Sequence, residues 1–263
     1  MITIKNEYLP EKMKPIRFRM ETDDTYTIVF SKRTMSHAGQ FYMLSVDGVG
    51  ESPISVASGF GNPLTFSIKA VGSVTKYIMD HRDSAIGLRG PYGNTWPWKG
   101  ADHIVAIAGG IGIPPIKALI EDMESEGNLS DLTVLYGARS PKDIVYKNEI
   151  EAWKKELDFR ITVDNGDPSW KGKVGVVTTL IPGVERFKNG SAFVIGPPIM
   201  MKFSVQELIK HGFSPENIYL SLERRMECGI GVCGHCNIGQ WYVCESGPIF
   251  RYSDVMNEPE VFL

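Results

Sequence analysis

The chain has 263 residues, of which 28 are basic and 31 acidic, for a net charge of −3, and 43% are apolar. That size favours two or more domains, and this mix of apolar and charged residues excludes a disordered chain. No basic stripe points to nucleic acid, and no run approaches the roughly 20 apolar residues of a spanning helix, so membrane insertion is not expected.

The first twenty residues, MITIKNEYLPEKMKPIRFRM, mix charges throughout and lack an apolar h-region, so they read as no secretory signal and the protein is expected to be soluble and cytoplasmic. Residues 1–98 are β-rich: TYTIVF (Thr25–Phe30), FYMLSV (Phe41–Val46) and LTFSIKA (Leu64–Ala70) carry β-branched and aromatic residues, with turn formers between them. Short strands at this spacing predict an antiparallel β-barrel or sandwich, with a short helix near 73–80. The turn-rich stretch Gly90–Trp98 reads as the link into a second domain.

From His103 the period changes. HIVAIAGG is a buried strand ending in glycines, and PPIKALIEDMESEG is a helix with Ile116, Leu119, Ile120 and Met123 on one face. DLTVLYG, FRITVD, AFVIG and NIYLSLE follow as strands, with helices near 144–156, 174–181 and 198–210 between them. Alternation of this kind over residues 99–222 predicts a doubly wound parallel α/β sheet. Residues 223–263 break the pattern and form a small lobe with too little core to fold unaided.

All four cysteines fall in that lobe, at Cys228, Cys233, Cys236 and Cys244, spaced C-x₄-C-x₂-C-x₇-C. A disulfide framework would spread cysteines along a small secreted chain. The x₄ then x₂ spacing is that of plant-type [2Fe–2S] sites. Gly229, Gly231 and Gly234 let the loop wrap a cluster and turn its amides toward sulfur. Structural zinc, which prefers paired C-x₂₋₄-C knuckles, is the alternative, and His235 is a further possible ligand or a plain loop residue.

Nucleotide signals lie at three strand ends. Gly109, Gly110, Ile111, Gly112 and Pro114 join a strand to a helix, where glycines admit a pyrophosphate to free N–H groups. Arg139 follows the next strand and could meet an adenosine phosphate or be a surface residue, and Gly196, Pro197 and Pro198 open another helix. In open α/β sheets ligands bind beyond the carboxyl ends of strands, so three such loops on one edge favour a dinucleotide site. In the β-rich domain, Lys69, Val71, Gly72, Ser73, Val74 and Thr75 end a strand and begin a helix, which suits a phosphate or an N-cap.

GVGESPISVAS, SIKAVGSVT, GLRGPYGNTWP, AIAGGIGIPPIKALI, AFVIGPPIMMKF and LERRMECGIGVCGHCNIGQWYVCESGP run from end to end of the chain. With these motifs the chain resembles the ferredoxin–NADP reductase superfamily, in the branch with a C-terminal [2Fe–2S] lobe. That branch includes the dihydroorotate dehydrogenase electron-transfer subunit, the anaerobic sulfite reductase B subunit and, most similar in type, the sulfhydrogenase gamma subunit. The resemblance implies a flavin-binding barrel (1–98), an NAD(P)-binding domain (99–222) and the cluster lobe (223–263). It implies FAD along Pro53, Ile54, Ser55 and Val56, with its pyrophosphate near Gly72–Thr75, and Ser55 hydrogen-bonding close to the reactive flavin nitrogen. NAD(P)H would meet Gly110, Ile111, Gly112 and Pro114, with Gly196–Pro198 near the nicotinamide.

Two motifs depart from the pattern. Ser52 and Ile54 stand where the superfamily's Arg-x-Tyr-Ser motif has arginine and tyrosine, and Ile195 stands where a cysteine precedes Gly-Pro. The implied activity is that of a diaphorase-type subunit, relaying electrons between NAD(P)H, FAD and the cluster. Its implied partner is a catalytic subunit, hydrogenase-like or sulfite-reductase-like, or another iron–sulfur protein. The competing readings are a free-standing NAD(P)H flavin reductase with a zinc lobe and an assembly subunit that has lost its flavin.

Overall fold

The computed structural model describes residues 8–263, so residues 1–7 of the first predicted domain lie outside it. Seven strands, β1 (Glu11–Met13), β2 (Arg17–Met20), β3 (Thr25–Arg33), β4 (Phe41–Val46), β5 (Gly50–Ser55), β6 (Pro63–Lys69) and β7 (Ile86–Tyr92), form two antiparallel sheets. Their orders are β1-β7-β4-β5 and β2-β3-β6. Alternate residues point inward, as a strand's period of two requires: Tyr26, Ile28 and Phe30 from β3 meet Leu64, Phe66 and Ile68 from β6. Helix α1 (Ser73–Asp80) stands where the sequence placed it. The expected link at Gly90–Trp98 starts later, because Gly90–Tyr92 complete β7 and Tyr92 pairs with Phe41 past an irregularity in the ladder.

The second unit holds β8 (Ile104–Gly109), α2 (Ile113–Ser125), β9 (Leu132–Ala138), α3 (Lys147–Glu156), β10 (Asp158–Val163), β11 (Lys173–Val174), β12 (Ser191–Ile195), α4 (Pro198–Lys210) and β13 (Ile218–Ser221). A last strand, β16 (Ile249–Arg251), comes from beyond the cysteines and runs antiparallel to β13. The sheet order is β11-β10-β9-β8-β12-β13-β16, with every other pairing parallel. Both faces are covered: Ile104, Ala106 and Ala108 of β8 enter one core, and Val105 and Ile107 the other.

Two helices differ from expectation. α3 begins at Lys147, because Pro141–Asp143 form a separate 3₁₀ turn and Tyr146 holds the left-handed conformation at φ 62° just before the helix. In place of a helix near 174–181 there is the short β11, then a 3₁₀ stretch over Val177–Phe187. Its Pro182 has no N–H to give an α-helical ladder. Val177, Leu180, Ile181 and Val184 still bury one face, which is the helical period that the sequence shows.

The C-terminal segment adds a hairpin of β14 (Asn237–Ile238) and β15 (Trp241–Tyr242), then α5 (Val243–Ser246) and α6 (Tyr252–Val255). It has no core of its own. Ile238, Val243, Phe250 and Val255 bury in the same cluster as Val105 and Ile107 of the sheet and Phe41 and Met43 of β4. Asn94 stitches the linker to this segment: its Nδ2 donates to the carbonyls of Ser246 (2.9 Å) and Ile249 (2.8 Å), and its Oδ1 accepts the Ile249 N–H (2.9 Å).

Candidate cofactor cleft and cluster site

A cleft of about 310 Å³ opens where the barrel, the parallel sheet and the cysteine segment meet. Pro53, Ile54 and Ser55 of β5 line one wall, and Lys69, Val71 and Thr75 another. Ile111, Pro114 and Ile195 close the side toward the sheet. Eight of the residues expected from the sequence to bind a cofactor, taken from two domains, therefore share one cavity, together with Ser52 and Ile195. Val56 does not: its side chain is wholly inside the barrel core, and its N–H bonds to the Gln40 carbonyl. Ser55 lies opposite Phe41 in the β4–β5 register, and Phe41 also reaches the cleft. At the start of α1, the Thr75 hydroxyl oxygen accepts the N–H groups of Val71 (3.1 Å) and Gly72 (3.0 Å). Thr75 is thus the residue that shapes this turn, while Ser73 and Val74 sit in the first turn behind it.

The remaining predicted residues gather at the carboxyl edge of the sheet. Gly109 ends β8, Gly110–Gly112 form a 3₁₀ turn, and α2 follows with Pro114 and Pro115 in its first turn. Gly112 is required there, since a Cβ would lie 2.6 Å from the Ile195 carbonyl oxygen at the end of β12. Gly196, Pro197 and Pro198 join β12 to α4 beside it. Arg139 is exposed at the end of β9, facing Asp164 at the end of β10; burial raises the Asp164 pKa and the Arg139 charge opposes that rise. These loops present a groove of backbone amides and small residues that suits an extended dinucleotide.

The four cysteines are all free, with Cys236 and Cys244 buried and Cys233 exposed. Their sulfurs fall into two pairs. Cys236 and Cys244 have their sulfurs 3.3 Å apart, and Cys233 is in side-chain contact with Cys228. Backbone amides already face the sulfurs: Gly231 N–H to Cys244 Sγ (3.1 Å), Cys233 N–H to Cys228 Sγ (3.4 Å) and Ile230 N–H to Cys228 Sγ (3.5 Å). The backbone N–H groups of His235 and then Cys228 hold the Cys233 thiol down to about 7, while burial and then Cys236 push Cys244 up. Among the described residues no three His, Cys, Asp or Glu side chains converge as the ligands of a single metal ion. Two sulfur pairs under a canopy of amides fit a two-iron cluster, one pair to each iron, better than one tetrahedral zinc. His235 is exposed beside them.

Three charged residues of the site lie within the segments GLRGPYGNTWP and LERRMEC, yet the sequence assigns them no role, because only the fold brings them there. Glu223 and Arg224, just after β13, both line the cleft. The Glu223 carboxylate opens to the cleft but is surrounded by protein on its other sides, and this desolvation raises its pKa. Arg224 donates to the carbonyls of Glu223 (2.8 Å) and Leu263 (3.3 Å), so a cation stands in the cleft although Ser52 replaces the familiar arginine. The third, Arg89 of β7, is 5% exposed and donates to both oxygens of Glu51 (3.0 and 2.5 Å). Hydrogen bonding to the Glu51 carboxylate is the main cause that raises the Arg89 pKa further.

Comparison with known proteins gives concordant matches. Residues 106–206 match the oxidoreductase NAD-binding domain family, and residues 223–256 match the iron–sulfur cluster binding domain of dihydroorotate dehydrogenase B. The chain is 35% identical to sulfhydrogenase 1 subunit gamma of Pyrococcus furiosus, over 95% of its own length and 89% of the relative's. It is 36% identical to the probable dihydroorotate dehydrogenase B (NAD(+)) electron transfer subunit of the same organism, covering 83% of this chain and 81% of the other. Among solved structures, one of an NADH-dependent reduced ferredoxin–NADP oxidoreductase superposes with a TM-score of 0.77 at 22% identity, covering 97% and 94% of the two chains.

Proposed function

We propose that this chain, which belongs to the family of sulfhydrogenase gamma subunits and dihydroorotate dehydrogenase B electron-transfer subunits, is the electron-transfer subunit of a multisubunit oxidoreductase. It moves electrons between NAD(P)H, FAD and a [2Fe–2S] cluster, to or from a catalytic partner subunit of hydrogenase-like or related type. The observation that carries this reading is the shared strand β4: Phe41 lines the cleft while Met43, two residues on, lies against the cysteine loop at Gly229. A flavin in the cleft and a cluster in the loop would thus be separated by little more than one strand.

Flavin and cluster, when bound, supply two-electron acceptance and one-electron carriage respectively. The chain's own residues bind and orient. Ser55, Pro53 and Ile54 would flank the flavin ring, with the Ser55 hydroxyl as a hydrogen-bonding group at its reactive edge. Lys69 and Arg224 would neutralise its phosphates, beside the α1 turn of Gly72–Thr75. Gly110–Gly112, Pro114, Arg139 and Gly196–Pro198 would hold the nicotinamide nucleotide, bringing its ring in past Ile195. Cys228 with Cys233, and Cys236 with Cys244, would each bind one iron.

Val232 and Tyr242 are exposed apolar residues on the same lobe as the exposed Cys233, and that lobe is the face we assign to the partner. No helix among the described residues is long and apolar enough to cross a membrane, and we place the subunit in the cytoplasm. Anaerobic affinity capture of the chain from its native host tests the assignment. Co-purification of a redox catalytic subunit, with flavin and iron in the complex, is expected; recovery of the chain alone, fully active with free dyes and unassociated, argues instead for a free-standing reductase.

A further inference from the structure

Arg89 is a buried cation that ties the barrel to the cysteine loop. From β7 its Nη1 and Nη2 each donate to the Cys228 carbonyl oxygen at 3.1 Å, while Nε and Nη2 hold the Glu51 carboxylate. The Tyr92 hydroxyl is 3.4 Å from Nη1, and the guanidinium carbon is 5.9 Å from the Tyr92 ring. The loop cannot shift easily against this anchor, since a Cβ at Gly229 would already lie 2.8 Å from Met43 Cγ. In the sheet register Arg89 pairs with Met43, and Met43 with Pro53 on the cleft wall. One line across three strands therefore runs from the first cysteine's carbonyl to the cleft. Glu51, at 29% side-chain exposure, faces solvent more than Arg89 at 4%, so the positive end of the pair is the one turned inward to the loop.

We infer that Arg89 is a positioning residue for the cluster, with a second, electrostatic effect: its inward charge raises the reduction potential of the centre held by Cys228, and Glu51 tempers that rise. The inference rests on the reading that the four cysteines bind a [2Fe–2S] cluster. One-electron reduction takes one ferric ion to ferrous and adds one negative charge to the cluster, with no bond made or broken. A unit positive charge within about 10 Å, in a setting of effective dielectric near 20, favours the reduced form by about tenfold or more, which is about 59 mV or more for a one-electron couple. A guanidinium gripped on both sides holds that charge in place in a way that a mobile lysine does not.

The test is a redox titration of the purified, cluster-loaded full chain, followed by electron paramagnetic resonance, with iron and flavin content measured on each sample. Arg89→Gln is expected to lower the potential, so that at the wild-type midpoint the reduced-to-oxidised ratio falls about tenfold. Glu51→Gln is expected to raise the potential, and Arg89→Lys to stay nearer wild type than Arg89→Gln. Equal potentials in all variants, with only thermal stability changed, would overturn the electrostatic assignment and leave a simple strut. If Arg89→Gln fails to hold the cluster, Glu51→Gln decides alone: no upward shift overturns the inference. A wild-type chain with no iron-based signal is a different result, and refutes the cluster reading itself.

Discussion

The Asp122 carboxylate accepts the backbone N–H of Ala38 at 2.9 Å, joining helix α2 of the nucleotide domain to a barrel loop 84 positions earlier. Its other oxygen accepts the Phe60 N–H at 2.7 Å, and its neighbour Glu121 accepts the Gly59 N–H at 2.8 Å. Lys117, one turn earlier, donates to the Ala57 carbonyl at 2.9 Å. The helix whose first turn borders the nucleotide groove is thereby bolted to the domain that forms the other wall of the cleft.

Asp122 is 4% exposed, so its removal strands buried amides. Asp122→Ala is expected to destabilise the protein by about 2–4 kcal/mol, the range for a charged acceptor lost from buried donors. Urea unfolding measures this. A change within a few tenths of a kcal/mol would show that the clamp is dispensable.

Glu223 gives a pH signature. Its pKa is raised by desolvation, so the native chain holds that proton more tightly than the unfolded chain does. Stability is full below the ordinary carboxylate range and falls as pH rises from there through the raised value. Glu223→Gln removes this loss: the cofactor-free variant should melt higher than wild type at neutral pH, with the gap closing in acid. Parallel melting curves across that range would contradict it.

Asn94 makes three side-chain hydrogen bonds to the segment Ser246–Ile249. Asn94→Ala should cost about 2 kcal/mol and loosen β16 from the linker. Amide hydrogen exchange is the direct readout, with faster exchange expected at Ile249 and unchanged protection in β3.

The phosphate roles proposed for Lys69 and Arg224 predict that charge removal weakens flavin retention before anything else. Lys69→Ala/Arg224→Ala should lose FAD at least tenfold more readily on gel filtration, with iron content unchanged. Equal retention would place the pyrophosphate away from these side chains.

Much of this architecture is legible along the chain, because local period and punctuation agree with the fold. Phe41–Val46 is β4 residue for residue, α4 spans 198–210, and the four helix-face residues Ile116, Leu119, Ile120 and Met123 are all buried. The cysteine spacing is likewise local information. Non-local relationships are not legible in this way. The three residues Ile249–Arg251 are a strand only because β13 offers them an edge. Gly90–Tyr92 read as a turn, and pairing with β4 makes them strand. Arg89, Glu223 and Arg224 lie inside the segments GLRGPYGNTWP and LERRMEC, but nothing local in those segments assigns them a role; strand register and chain return bring them to the cleft and the loop. The 3₁₀ stretch over Val177–Phe187 shows the other limit, since its apolar spacing is helical while Pro182 forbids the α ladder.

The central claim is that nicotinamide, flavin and cluster form one path through this chain. Its most direct measurement is anaerobic purification, with metal and sulfide analysis, followed by addition of NAD(P)H while the visible spectrum is recorded. The account predicts about two irons and two sulfides per chain, bound FAD, and bleaching of both flavin and iron–sulfur bands by the nucleotide. Zinc in place of iron and sulfide, or a loaded chain whose cluster bands stay oxidised when the flavin is reduced, would contradict it.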